Sequence, residues 1–147
     1  MLLPFNVHAP GDVDGDKDKH IGIRFCLSSL DSVEEIDYDA FSYCTRVTSI
    51  TIPEKVISIG NNTFDSCIRL TYVTIFDGVE SIGEYAFKEC NLLETVIIGT
   101  GITSIDSTAF FKCTSLKDIY IDKNKVADLV PSGSYTIHWN STGPTTV

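Results

Sequence analysis

Two groups of residues have types and spacings that chemistry could use. Cys44, Cys67, Cys90 and Cys113 recur at one fixed interval, with a fifth thiol at Cys26. Asp12, Asp14, Asp16 and Asp18 alternate within Gly11-Asp12-Val13-Asp14-Gly15-Asp16-Lys17-Asp18. An odd number of cysteines, four of them in one column, argues against a paired disulfide framework. If the interval reflects stacked coils, neighbouring thiols lie roughly 4.8 Å apart with parallel Cα–Cβ bonds. Disulfide Cβ atoms want to be about 3.8 Å apart. A metal needs ligands that converge on a point, whereas a ladder diverges along a line. The four column cysteines are therefore expected to be buried free thiols acting as small hydrophobes; Cys26 is off-register.

The alternating aspartates begin like a calcium loop, in which positions one, three and five face the ion. Counted from Asp12, the expected glycine at position six is Lys17 and the bidentate acid at position twelve is Ile23. A solvated acidic turn is the preferred reading, with calcium binding as the alternative. His8, His20 and His138 are scattered. There is no Gly-x-Ser-x-Gly elbow, no His-Glu-x-x-His and no phosphate loop. Gly99-Thr100-Gly101 lacks a third glycine and reads as a turn. Pairs such as Glu34-Glu35 are ordinary in an acidic chain. No enzyme, resident metal or cofactor is expected. Asn61-Asn62-Thr63 and Asn140-Ser141-Thr142 fit the glycosylation acceptor but are read as chance matches.

Composition narrows the function classes further. The chain has 147 residues and is 43% hydrophobic, enough to bury a core. Apolar runs stop at three or four residues, as in Val96-Ile97-Ile98, so no transmembrane helix is expected. Lys plus Arg is 11 against 20 Asp plus Glu, a net charge of −9. That leaves no basic face for nucleic acid and repels anionic membranes. Met1-Leu2-Leu3-Pro4 has neither a basic start nor a long apolar stretch, so it is not a signal peptide. The protein is then either cytosolic or carries a leader outside this chain.

What must position any functional side chain is a repeat. In rows of 23, Phe41, Phe64, Phe87 and Phe110 share a column, and the four cysteines another. Val47, Leu70, Leu93 and Leu116 follow, then Ile50, Val73, Val96 and Ile119, then Ile52, Ile75, Ile98 and Ile121. Two further columns are Val33, Val56, Val79, Ile102 and Ile36, Ile59, Ile82, Ile105. Such a period marks a solenoid whose units bury their apolar edges only by stacking. Within a row, Val73-x-Ile75 alternates and predicts a short strand, paired in parallel with its copies. Val79-x-x-Ile82 predicts a second inward-facing stretch. Apolar residues three apart in Glu84–Cys90 predict about two turns of helix. Asp37, Gly60, Gly83 and Asp106 share a column between these pieces and predict a corner with unusual backbone angles.

Leu70-x-x-Val73-x-Ile75 followed by Val79-x-x-Ile82-Gly83-x-x-Ala86-Phe87-x-x-Cys90-x-x-Leu93 resembles the BspA-like leucine-rich repeat, also called the Treponema pallidum type. That repeat carries a proline after its strand, which stands here only at Pro53 and is replaced by Phe76, Gly99 and Asp122. The resemblance covers about residues 33–122. It implies a bacterial or protist cell-surface or secreted protein, often adhesive, that binds host matrix proteins or other cells.

The expected fold is an α/β right-handed leucine-rich-repeat solenoid of 23-residue repeats, with a parallel sheet on one face and short helices on the other. Residues 1–31 are expected to form an N-terminal acidic segment and an irregular capping strand, in which Ile21, Ile23, Phe25 and Leu27 alternate. Residues 32–122 are expected to form four stacked repeats, and residues 123–147 a C-terminal cap and the start of a linker. Lys123–Asp128 reads as a short helix, and Tyr135, Ile137 and Trp139 alternate as a closing strand.

On the sheet, Leu70, Val73 and Ile75 point inward and Tyr72, Thr74 and Phe76 outward. Stacking brings Tyr72, Phe76, Ile97 and Tyr120 to one open face rimmed by Thr and Asp. Exposed aromatics with a polar rim characterise protein-binding surfaces. A pleated sheet favours aromatic and β-branched residues in any case, and a cap folding over the face would hide them. Two functions follow. The first is a non-catalytic recognition or adhesion module binding protein or glycan through Tyr72, Phe76, Ile97 and Tyr120, with no nucleic acid and no membrane insertion. The alternative is a structural spacer or self-assembling rod.

Overall fold

The computed structural model describes residues 34–122, 131 and 133–140. The acidic stretch at Asp12–Asp18, Cys26, the Ile21–Leu27 strand and the Lys123–Asp128 helix lie outside these residues.

Short strands follow one another in a fixed order. They are β1 (Glu35–Ile36), β2 (Ser49–Ile52), β3 (Ser58–Ile59), β4 (Tyr72–Ile75), β5 (Ser81–Ile82), β6 (Thr95–Ile98), β7 (Ser104–Ile105), β8 (Asp118–Asp122) and β9 (Thr136–Asn140). They sort into two parallel sheets. The longer has the order β2-β4-β6-β8-β9, the shorter β1-β3-β5-β7. Up to β8 every partner is the same position one repeat away, as in Ile50↔Val73, Val73↔Val96 and Val96↔Ile119. Alternation along each long strand puts Val73, Ile75, Val96 and Ile98 inside, all nearly inaccessible to solvent. Ile59 and Ile82 do the same from the short sheet, with Val56 and Val79 buried three residues before them, so the sequence's second inward-facing stretch ends in a second parallel sheet.

The expected short helices are absent among the described residues; turns take their place. An α-helix would return each N–H four residues back. Here alternate N–H groups close three-residue turns: Ala86 N–H to Gly83 O (3.3 Å), Lys88 N–H to Tyr85 O (3.0 Å) and Cys90 N–H to Phe87 O (3.3 Å). Those between them leave the coil, Phe87 N–H reaching Ala109 O (2.8 Å) and Glu89 N–H reaching Phe111 O (2.9 Å). Sending every other donor to the neighbour requires left-handed backbone at Tyr85 (φ 54°) and Glu89 (φ 56°), a conformation no helix accommodates. Asp39 and Tyr43, and Asn62 and Ser66, repeat it two coils and one coil earlier. Each such non-glycine residue costs on the order of 1 kcal/mol or more. The inter-coil hydrogen bonds and the core beneath offset that cost.

Beneath the turns run two ladders. Phe41, Phe64, Phe87 and Phe110 stack nearly face to face, with centroids 5.3, 5.2 and 5.5 Å apart and planes within 13°. Beside them, each column thiol from Cys67 onward reaches back to a phenylalanine carbonyl of the preceding coil: Cys67 Sγ to Phe41 O (3.2 Å), Cys90 Sγ to Phe64 O (3.2 Å) and Cys113 Sγ to Phe87 O (3.0 Å).

The Asp/Gly column is a corner for a different reason from the one expected. Gly60 and Gly83 are not in the left-handed region; at these two positions the preceding coil leaves no room for a Cβ, whereas Asp106 carries a side chain in the same column on the next coil. A Cβ on Gly60 would lie 2.8 Å from Ile36 O, and one on Gly83 would strike Asn61 Oδ1. Thr63 stands in an otherwise all-alanine column, fully buried, with its hydroxyl donating to Gly60 O at 2.7 Å. The Asn61-Asn62-Thr63 match is thus a turn element.

Phe87 is stacked on both sides and fully buried. Phe87→Ala should destabilise the fold by about 3–5 kcal/mol, read as a lower chemical-denaturation midpoint; an unchanged midpoint would remove the ring ladder from the core.

Candidate functional site

The outer face of the long sheet is built by the strand register. One column runs Ser49, Tyr72, Thr95, Asp118 and Thr136. The next runs Thr51, Thr74, Ile97, Tyr120 and His138. Ile97 and Tyr120 are direct partners in the second column and both are half-buried. Tyr72 stands in the first column, 40% exposed, with small polar residues on either side. It lies two strands from Tyr120, roughly 10 Å across the sheet. Phe76 sits just past the end of β4, half-buried beside Gly99. There a Cβ on Gly99 would meet the Phe76 carbonyl carbon at 2.5 Å. Of the four residues expected to cluster, the register sets Ile97 and Tyr120 side by side, with Tyr72 in the neighbouring column and Phe76 just past the end of β4.

His138, read from sequence as isolated, joins this face. β9 pairs in parallel with β8 at an offset shorter than the repeat, Asp118 opposite Thr136. That sets the imidazole against Tyr120, with ring centroids 4.5 Å apart and planes within 15°. His138 Nε2 and Asp118 Oδ1 are 2.7 Å apart. The stack covers one side of Tyr120 and extends the face by a fifth strand. Tyr135 and Ile137 pack partly buried against the core.

Exposed rings also occur on the turn face, at Tyr38, Tyr43 and Phe111. Phe111 meets Tyr85 edge-on at 5.8 Å and carries the Lys112 ammonium over its ring at 5.6 Å. Ion pairs bridge successive coils: Lys88–Asp65 (3.1 Å), Lys112–Glu89 (2.9 Å) and Lys117–Glu94 (3.3 Å). The bond to Asp65 raises the Lys88 ammonium above its ordinary value, and the bond from Lys112 lowers the Glu89 carboxyl.

Cys44, Cys67 and Cys90 are buried and unpaired by disulfide. Hydrogen bonding with the Cys113 and Cys67 thiols, followed by burial, pushes Cys90 far above the range in which a thiolate forms. Cys113, expected to be buried with the rest, is only half-buried. It lines a cavity of about 440 Å³ between the last turn and the segment before β9, with Phe110, Leu116, Pro131 and Tyr135. The Tyr135 hydroxyl is buried without a hydrogen-bond partner among the described residues. No group of three or more His, Cys, Asp or Glu among the described residues is placed to hold a metal ion.

With this geometry in place, residues 27–130 match the family model of the BspA type leucine rich repeat region, in six copies. Two solved structures are similar. A leucine rich cell surface protein from Faecalibacterium prausnitzii A2-165 is 38% identical with a TM-score of 0.54, over 65% of this chain and 26% of that one. A leucine rich repeat protein of T. pallidum is 25% identical with a TM-score of 0.50, over 60% of this chain and 52% of that one. The chain therefore spans about a quarter and about half of their lengths. No curated protein matches it.

In a Cys26→Ser background, a maleimide should modify Cys113 rapidly in the native protein and Cys44, Cys67 and Cys90 only after denaturation. Equal rates at all four would contradict the ladder. The Glu89 carboxyl should titrate below the ordinary glutamate value in an NMR pH series. Because the folded state favours its ionised form, its contribution to stability is present above the unfolded value and lost as pH falls through the lowered native one. Lys112→Met should return the titration to the ordinary range.

Proposed function

The chain belongs to the BspA-type leucine-rich repeat family, and from that premise we propose that it is a non-catalytic recognition module of a cell-surface or secreted protein. It binds protein, or the glycan carried by one, through the open face of the long sheet. The observation that carries this reading is the register of that face. Five parallel strands hold Tyr72, Ile97 and Tyr120 at fixed positions, with Phe76 at the margin and Thr74, Thr95 and Asp118 between them. Rigid rings on a rigid sheet lose little entropy on binding, and one buried anchor contributes about 2 kcal/mol or more. The similarity to a protein described as a leucine rich cell surface protein supports the location.

The spacer or rod is the less favoured reading. Coils stacking end on end would have to continue the repeat interval past Phe110. The shorter offset between β8 and β9 breaks that interval.

Replacing Tyr72 and Tyr120 together by serine should leave the fold intact, since both side chains point away from the core. It should weaken binding to immobilised matrix proteins such as fibronectin by roughly thirtyfold, the equivalent of one lost anchor. Contact resting on aromatic burial should change little between low and high salt. Unchanged binding by the double variant would move the site off this face.

A further inference from the structure

The described lysines of this acidic chain are engaged. Lys88, Lys112 and Lys117 each hold a carboxylate of the preceding coil, and Lys55 has a partner as well. Arg46 and Arg69 differ. Both are exposed, and neither guanidinium has a hydrogen bond or an ion pair among the described residues.

Arg46 and Arg69 are one repeat apart and occupy one column on adjacent coils. In-register contacts fix that column on both sides, Tyr43 N–H to Asp65 O (2.7 Å) before it and Ser49 opposite Tyr72 after it. Backbones of adjacent coils lie roughly 4.8 Å apart, so two like charges occupy neighbouring coils, neither of them ion-paired among the described residues. Like charges held this close repel one another. The column continues one coil further into Leu92, which is 50% exposed, and Ile68 beside Arg69 is 45% exposed. Two unpaired guanidiniums and two uncovered aliphatic side chains thus share one strip, on the segment that leads from the turns into the long sheet. It precedes the column of Tyr72 and is separate from the aromatic patch.

We propose that Arg46, Arg69, Ile68 and Leu92 form a docking strip for an acidic peptide segment, whose carboxylates pair with the two guanidiniums while an apolar side chain covers Ile68 and Leu92. Arginine's planar fork suits bidentate pairing with carboxylates. The aliphatic pair favours a peptide over a sulfated glycan, which has anions but no side chain to cover Ile68 and Leu92. The strip is open, so a small free anion would find nothing to enclose it. The chain's net charge of −9 opposes long-range capture of such a partner. Recognition is therefore a contact interaction, confined to about one Debye length, roughly 8–10 Å.

The test is a random peptide display library selected on the whole protein at physiological ionic strength. Enriched sequences should carry two acidic residues with a leucine, isoleucine or phenylalanine nearby. A synthetic peptide from that set should bind Arg46→Gln/Arg69→Gln about tenfold more weakly than the parent, and Ile68→Ser/Leu92→Ser should also weaken it. Unchanged circular dichroism and melting temperature would show that both variants fold. A heparin tetrasaccharide serves as the competing probe. Enrichment without acidic residues, a selected peptide indifferent to the arginine pair, or arginine-dependent binding by the tetrasaccharide alone would each overturn the proposal.

Discussion

One distance governs this molecule: the spacing at which the backbone of one coil hydrogen-bonds to the next. A residue touches its copy on the next coil more closely than most of its sequence neighbours, so each column must tolerate its own repetition. Phenylalanine does so by stacking flat, as the near-parallel rings show. Cysteine does so by being small and by donating weakly, its thiol reaching the phenylalanine carbonyl of the coil before. Glycine appears where even a methyl group would strike the neighbouring backbone. A Cβ on Gly78 would overlap the carbonyl oxygen of Glu54, and one on Gly101 that of Asp77, each one coil earlier.

Charge obeys the same rule. A column of identical charges would be self-repelling, and the sequence alternates sign along the stack at Asp65–Lys88, Glu89–Lys112 and Glu94–Lys117. Each exposed pair is worth little alone. Their shared arrangement, an acid on one coil and a lysine on the next, reinforces register, because a slipped coil would lose these pairings together. Arg46 and Arg69 depart from this alternation.

Most of the architecture was legible from the seven apolar columns, because a fixed interval leaves stacking as the only way to bury them. The strands could be read from period-two alternation in Val73-x-Ile75. The turns could not. Apolar side chains three apart suit a helix and a chain of three-residue turns equally, and the deciding factor, whether an N–H returns within its coil or crosses to the next, leaves no mark on residue type. Left-handed backbone was hidden at Tyr85 and Glu89, which do not favour it; the signal lay in Asp39 and Asn62, the residues of the Tyr85 column whose types do. At the site, Tyr72, Ile97 and Tyr120 followed directly from register. His138 did not, because the offset across β8 and β9 falls short of the repeat, and a search at the repeat interval passes over it. Alternation of Ile137 with Trp139 was the available signal.

The turns also bear on how the protein would respond to force. Both sheets and the turn side have inter-coil hydrogen bonds of their own, so adjacent coils are fastened along three edges of their outline. A load that slides one coil across another must shear bonds on all three edges together. A load that lifts a coil from one corner meets them in succession and opens the stack like a zipper. A module fastened in this way is mechanically anisotropic: stiff against lateral drag and weak against peeling.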